Sequence, residues 1–191
     1  MSQKKDTTSL FGSNSEFEII KLAFNLPHKS FHIRELSRKS GYSTTAVGTA
    51  VIDLQALDII RIEESAVTKN IKANLDSKDY SSYKIVFNLY RLLLHGFTQN
   101  LIEFFHNPEC IALFGSFSRG EDIEQSDIDI LIISANKKPD SGSFNKFIAE
   151  IEKEFNRKIN LHVLKSLDNA EDSFKNAAAN GIVLHGYLKV I

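Results

Sequence analysis

The stretch Ile111–Ser134, IALFGSFSRGEDIEQSDIDILIIS, decides how the second half of the chain is read. An apolar run ends in Gly115-Ser116, and a second apolar run is headed by Asp127 and Asp129. Short runs of this kind, bounded by turn residues, read as buried strands. Side chains alternate along a strand, so Asp127 and Asp129 are expected on one face. Carboxylates placed beside an apolar core need water, a counter-charge or a cation.

The spacing suggests what the pair serves. Ser116 and Asp127 are separated by ten residues, and Asp129 follows two positions later. A strand that ends in Gly-Ser and turns into a short helix exposes backbone N–H groups. Gly115 admits a phosphate close to the backbone, Ser116 adds a hydroxyl donor, and the helix start favours anions. Two carboxylates on one face can share a hard cation such as Mg2+, which prefers oxygen ligands.

Working outward, the second half alternates strand and helix. SFNKFIAEIEKEFNRK is an amphipathic helix on Phe144, Phe147, Ile151 and Phe155, and INLHVLK is a third strand. DNAEDSFKNAAAN is a short helix closed by Gly181, and IVLHGYL a last strand. Upstream, one long helix is expected over residues 81–106, with Val86, Tyr90, Leu93, Phe97, Leu101 and Phe104 on its apolar side. Gly96 weakens it, Pro108 ends it, and the domain boundary is expected within it, near residue 95.

The first half has a different pattern. Residues 1–14 are polar without a hydrophobic period and are expected to form a disordered tail. Phe17, Ile20 and Phe24 then recur at helical spacing until Pro27. A second helix reads through FHIRELSRKS to Gly41, and Ser43 caps a third with Val47, Val51 and Leu54 on its apolar stripe. Beyond it the period becomes two, in IIRIEE and IKANL, with SAVTKN as the turn. Three helices followed by a hairpin, over residues 15–80, is the winged helix-turn-helix layout.

Composition sets bounds around these motifs. The 191 residues are 42% hydrophobic and 25% charged, which is ordinary for a globular protein of one large or two small domains. No apolar run reaches the roughly 18 residues of a membrane span, so no membrane association is expected. The N-terminus lacks an apolar signal segment, and the single cysteine, Cys110, can form no internal disulfide; a cytoplasmic setting is expected. The halves differ in charge by too little to indicate nucleic acid.

Gly115, Ser116, Gly120, Ser126, Asp127 and Asp129 match the pattern of the minimal nucleotidyltransferases of the polymerase-β-like superfamily, and the resemblance extends over roughly residues 98–191. It implies an α+β fold, with a small mixed-sheet nucleotidyltransferase-like domain over residues 107–191. It also implies transfer of a nucleoside monophosphate from an NTP, ATP foremost, with Mg2+ as cofactor. Asp127 and Asp129 would be the catalytic metal ligands, and Gly115, Ser116, Arg119 and Ser126 would bind nucleotide. Family members include antitoxins that modify a partner protein and enzymes that modify small molecules. One departure stands out: where the family carries a third carboxylate, KINLHVLK offers Asn160, with His162 on the same strand face. Asn is a neutral ligand and cannot act as a general base.

The N-terminal segment resembles the winged-helix domains of small prokaryotic transcription regulators. That likeness implies DNA binding through Ser43, Thr44 and Thr45 at the start of the third helix. Positive charge would come from Arg34, Arg38 and Lys39 and from Lys69 and Lys72 in the wing, because no Arg or Lys lies between Gly41 and Ile60. Two readings therefore stand. One is a nucleotidyltransferase with a DNA-binding domain, acting on an acceptor that could be a partner protein. The other is a transcriptional regulator, homodimeric or not, whose second domain has lost the reaction and serves as nucleotide sensor or dimerisation module.

Overall fold

The computed structural model describes residues 11–64, 68–139 and 141–189. The chain divides into two compact units between Tyr80 and Ser81, well ahead of the boundary expected near residue 95. The first ten residues of the expected tail lie outside the described residues, whereas Ser13 and Asn14 belong to a helix start.

In the first unit, α1 (Asn14–Asn25) begins with a capping box: the Ser13 hydroxyl accepts the Glu16 N–H and the Glu16 carboxylate accepts the Ser13 N–H. It buries Ile19, Ile20, Ala23 and Phe24. Helix α2 (Ile33–Ser40) stops at Gly41, whose φ of 78° is the left-handed conformation that glycine adopts without penalty. Helix α3 (Thr44–Ala56) starts on a Ser43 cap, 3.2 Å from the Ala46 N–H, and buries Val47, Ala50, Val51 and Leu54. A hairpin follows, β1 (Ile60–Glu64) against β2 (Lys69–Ala73), antiparallel with Ile62 opposite Ile71. Its turn, residues 65–67, lies outside the described residues. Phe31 bridges to Ile71, so the segment before α2 adds a short third rung.

The second unit opens on α4 (Tyr80–Leu94) and α5 (Phe97–Phe104), where one continuous helix was expected. The break is at Gly96, which takes φ 60° and caps α5, its carbonyl accepting Asn100 Nδ2 at 2.9 Å. The expected apolar side of α4 is also displaced. Val86 and Leu93 are exposed, at 48% and 74%, while Lys84, Phe87, Asn88, Arg91 and Leu92 are buried.

Next come β3 (Cys110–Phe114), the five-residue α6 (Gly115–Arg119), β4 (Ile128–Ile133), α7 (Gly142–Phe155), β5 (Ile159–Leu164), α8 (Asp172–Ala179) and β6 (Ile182–Gly186). They form a mixed four-stranded sheet in the order β5-β4-β3-β6: β4 and β5 are parallel across the α7 crossover, and β3 is antiparallel to β4 and β6.

The two faces of the sheet differ. Ile111, Leu113, Ile128, Ile130 and Ile132 pack on Leu92, Phe97, Leu101, Phe105, Phe144, Ile151 and Phe155 from the helices. The other face carries Cys110, Ala112, Phe114, Leu131 and Ile133, covered by Leu167 and Ala178. On this second face, toward the start of β4, the apolar residues give way to Asp127 and Asp129. Cys110 is packing, and burial pushes its thiol pKa up.

Phe144 is fully buried with Phe104 and Phe105 edge-on at 5.1 and 6.0 Å. Phe144→Ala is expected to cost about 3–5 kcal/mol in urea unfolding. A loss below about 1 kcal/mol would place the core elsewhere.

Candidate active site

Strand register brings the acidic pair into place. Phe114 pairs with Asp129, and Asp129 with Asn160, so the end of β3, the start of β4 and the start of β5 meet at one edge. Registered partners share a face, and Asp127 lies two residues before Asp129 on that face. Asp127, Asp129 and Asn160 are all half-buried.

The three side chains are joined. Asn160 Nδ2 donates to Asp127 Oδ2 at 3.1 Å and to Asp129 Oδ1 at 3.0 Å. Two carboxylates thus converge on a single nitrogen, and neither is taken up by an ion pair at these contacts. Gly115 closes the third side with φ 74°, and a Cβ built there would lie 2.5 Å from Asp129 Oδ2. Only a residue without a side chain lets that carboxylate stand against the bend. Among the described residues no three His, Cys, Asp or Glu side chains gather where a metal could sit. The donor set on offer is therefore two carboxylates beside an amide. The two carboxylates are hard oxygen donors of the kind that fits a divalent cation of the Mg2+ type, while the Asn160 amide turns its nitrogen to them.

The remaining candidates of the second unit are placed differently. Ser116 opens α6 next to Gly115, and its carbonyl accepts the Gly120 and Glu121 N–H groups. Arg119 points to Glu121, with Nε 2.8 Å from Oε2, and both are exposed. The Ser126 hydroxyl accepts the Ile123 N–H at 2.9 Å, so it shapes the loop before Asp127. His162 sits between two rings, 5.4 Å from Phe114 and 5.2 Å from Phe174, which is a packing position.

A second group escaped the sequence reading altogether. Asp122, 1% exposed, accepts Asn88 Nδ2 at 2.9 Å and lies 2.8 Å from Arg157 and 3.4 Å from Lys84. Lys84 Nζ also donates to the Asp122 carbonyl. Burial pushes the Lys84 and Arg157 pKa values down, opposed by the Asp122 charge. Nearby, the Arg91 guanidinium lies 3.9 Å over the Phe155 ring and donates to the Glu154 carbonyl. The available signal was Lys84, Asn88 and Arg91 at helical spacing inside an otherwise apolar helix.

In the first unit Arg34, Arg38 and Lys39 are exposed on α2, and Ser43, Thr44 and Thr45 are exposed at the start of α3. The hairpin lysines are engaged: Lys69 lies 2.6 Å from Glu64 and Lys72 2.6 Å from Glu63.

Comparison with known proteins agrees with the second unit. Residues 98–187 match the family model described as Polymerase beta, Nucleotidyltransferase. A Methanocaldococcus jannaschii protein named "Putative protein adenylyltransferase" is 42% identical over 65 residues, 34% of this chain and 65% of that relative. The matched region is thus a little under two thirds of the relative's length. No solved structure matches the chain. Among the described residues no helix is long and apolar enough to cross a membrane. Over residues 98–187 the second unit is thus similar to the Polymerase beta, Nucleotidyltransferase family, and its mixed sheet and Gly-Ser bend lie within the matched segment.

Proposed function

We propose that the second unit transfers a nucleoside monophosphate from a nucleoside triphosphate to an acceptor oxygen. The carrying observation is the convergence of Asp127 and Asp129 on one nitrogen beside the bare backbone of Gly115. In the transfer, the acceptor oxygen bonds to the α-phosphorus. The bridging bond to the β-phosphate breaks, and pyrophosphate leaves with the electron pair. The Gly115–Ser116 bend receives the phosphate tail through N–H groups and a hydroxyl. Asp127 and Asp129 are the residues that would hold Mg2+, whose chemistry when bound is to neutralise charge on the phosphate oxygens. Arg119 would exchange Glu121 for a phosphate oxygen. Asp127 also lines a hollow of about 490 Å³ with Glu152, Asn156 and Lys158, which leaves room for an acceptor on the β5 side. The relative's description favours ATP as donor and a protein as acceptor.

A second reading concerns the first unit. Three helices and a hairpin, with Arg34, Arg38 and Lys39 exposed on α2, favour a winged helix-turn-helix that binds DNA. Positive charge then comes from α2 rather than from the hairpin, whose lysines face their own glutamates. In the rival form of this reading, Asn160 marks a domain that senses nucleotide or joins two copies without turnover.

Incubation with labelled NTPs, Mg2+ and cell extract should attach label to an acceptor, with ATP preferred, and Asp127→Ala should abolish it. Absence of label with every NTP, alongside Mg2+-dependent nucleotide binding by calorimetry, would instead establish the sensor. Gly115→Ala should lose at least tenfold in nucleotide affinity while costing only about 1–2 kcal/mol of stability, since its left-handed backbone strains an alanine and its Cβ displaces Asp129. Asn160→Asp supplies the missing carboxylate and should raise turnover on the order of 100-fold if proton removal limits it. Unchanged turnover would move the limiting step elsewhere. For the first unit, a retarded duplex band at about 50 mM salt should fade by about 200 mM and vanish in the Arg34, Arg38, Lys39 triple alanine variant. A duplex never retarded at low salt rejects DNA binding.

A further inference from the structure

The buried group around Asp122 uses every one of its strong contacts on segments that flank the acidic pair. Asn88 Nδ2 donates both to Asp122 Oδ1, at 2.9 Å, and to the Phe117 carbonyl inside α6, at 3.0 Å. Arg157 lies 2.8 Å from Asp122 Oδ2 and donates to the Ser126 carbonyl at 2.9 Å and to the Ile123 carbonyl. Ser126 immediately precedes Asp127, and α6 begins at the Gly115–Ser116 bend. One carboxylate therefore links the two halves of the site from behind.

We infer that Asp122 is a positioning residue for nucleotidyl transfer, acting through Asn88 and Arg157 to fix the spacing between the Gly115–Ser116 bend and Asp127. The inference rests on the nucleotidyl-transfer reading of that site. Asp122, Lys84 and Arg157 are each almost wholly buried, and a buried ion cluster adds little net stability compared with apolar side chains of the same volume. What apolar side chains could not supply is a set of donors aimed at the Phe117, Ile123 and Ser126 carbonyls.

The clean probe is Arg157→Lys, which keeps the buried cation facing Asp122 but cannot reach two carbonyls as a guanidinium fork does. Asp122→Asn is the companion, isosteric but without the charge. The full chain is titrated with Mn2+ alone and followed by its paramagnetic resonance signal, at a temperature where thermal unfolding shows each variant folded. Hydrogen exchange is recorded without metal. Mn2+ affinity should fall about 10-fold or more in Arg157→Lys, the loss seen when partners behind a ligand are removed. Exchange should quicken at Ser126, Asp127 and Ile128 while α7 stays protected. A folded Arg157→Lys protein with native Mn2+ affinity and native exchange at those three amides overturns the inference. So does a general rise in exchange, which would make the cluster a matter of stability only. If the wild-type chain itself binds no Mn2+, the cation reading of Asp127 and Asp129 fails, and the exchange pattern alone then decides the positioning role by the same criteria. Should Asp122→Asn fail to fold, Arg157→Lys carries the test.

Discussion

Two like charges held a few ångströms apart on one strand face repel each other, and the second unit is organised around tolerating that repulsion. Strand alternation forces Asp127 and Asp129 to the same side, and the sheet register sets Asn160 beside Asp129. Each hydrogen of the Asn160 amide faces a different carboxylate. A charge-assisted hydrogen bond is stronger than a neutral one, so the amide partly offsets the repulsion without contributing charge. Gly115 completes the arrangement by what it lacks, since any Cβ would occupy the space of Asp129 Oδ2. Remove any of these three constraints and the carboxylates no longer point at one place.

The same logic explains why a helix packed on a sheet should bury a lysine, an asparagine and an arginine. Seen alone, α4 would do better to present Val86 and Leu93 to the core, and the structure leaves those two in solvent. Burying Lys84 costs desolvation that the Asp122 carboxylate and backbone carbonyl must offset. The arrangement makes sense only as a unit in which Asp122 Oδ1 accepts from Asn88, Oδ2 stands in an ion pair with Arg157, and the loop carbonyls that no strand could pair find donors. The loop from Gly120 to Ser126 has little regular structure of its own, and this set of contacts substitutes for it.

These two levels also separate what could be read from the chain and what could not. The strands around Gly115 and Asp127 were legible because an apolar run and its period report burial directly. The helix ends at Ser43 and Gly41 were legible because capping is local chemistry, whereas the Ser13 cap fell inside the expected tail. The break at Gly96 was visible as a weakness but not as a turn, since a glycine inside a helical pattern carries either outcome. The buried face of α4 was read wrongly because periodicity counts apolar residues, whereas that face is decided by Asp122, some 30 to 40 residues further along. Nothing local in YSSYKIVFNLYRLLL announces a carboxylate waiting at that distance. For Asn160 the residue was legible but its act was not: that one amide would join both aspartates depends on the β4–β5 register, which no strand pattern specifies alone.

The chemistry left to be accounted for is the acceptor proton. Asp127 and Asp129 are held as acceptors toward Asn160, and an amide takes up no proton at neutral pH. His162 is on the right strand, two positions beyond Asn160, yet its ring is flanked by Phe114 and Phe174 on the sheet face that α8 covers. Swinging it toward the pair would abandon both ring contacts and open a gap against Phe174. Of Asp127, Asp129, Asn160 and His162, none is thus poised to take that proton, and the further carboxylates lining the hollow proposed for an acceptor are those of Glu124 and Glu152. A site built this way favours binding over turnover unless the acceptor oxygen gives up its proton readily or its own carrier brings a base. In either case the identity of the acceptor, more than the geometry of the triphosphate cradle, sets how fast such a domain can work.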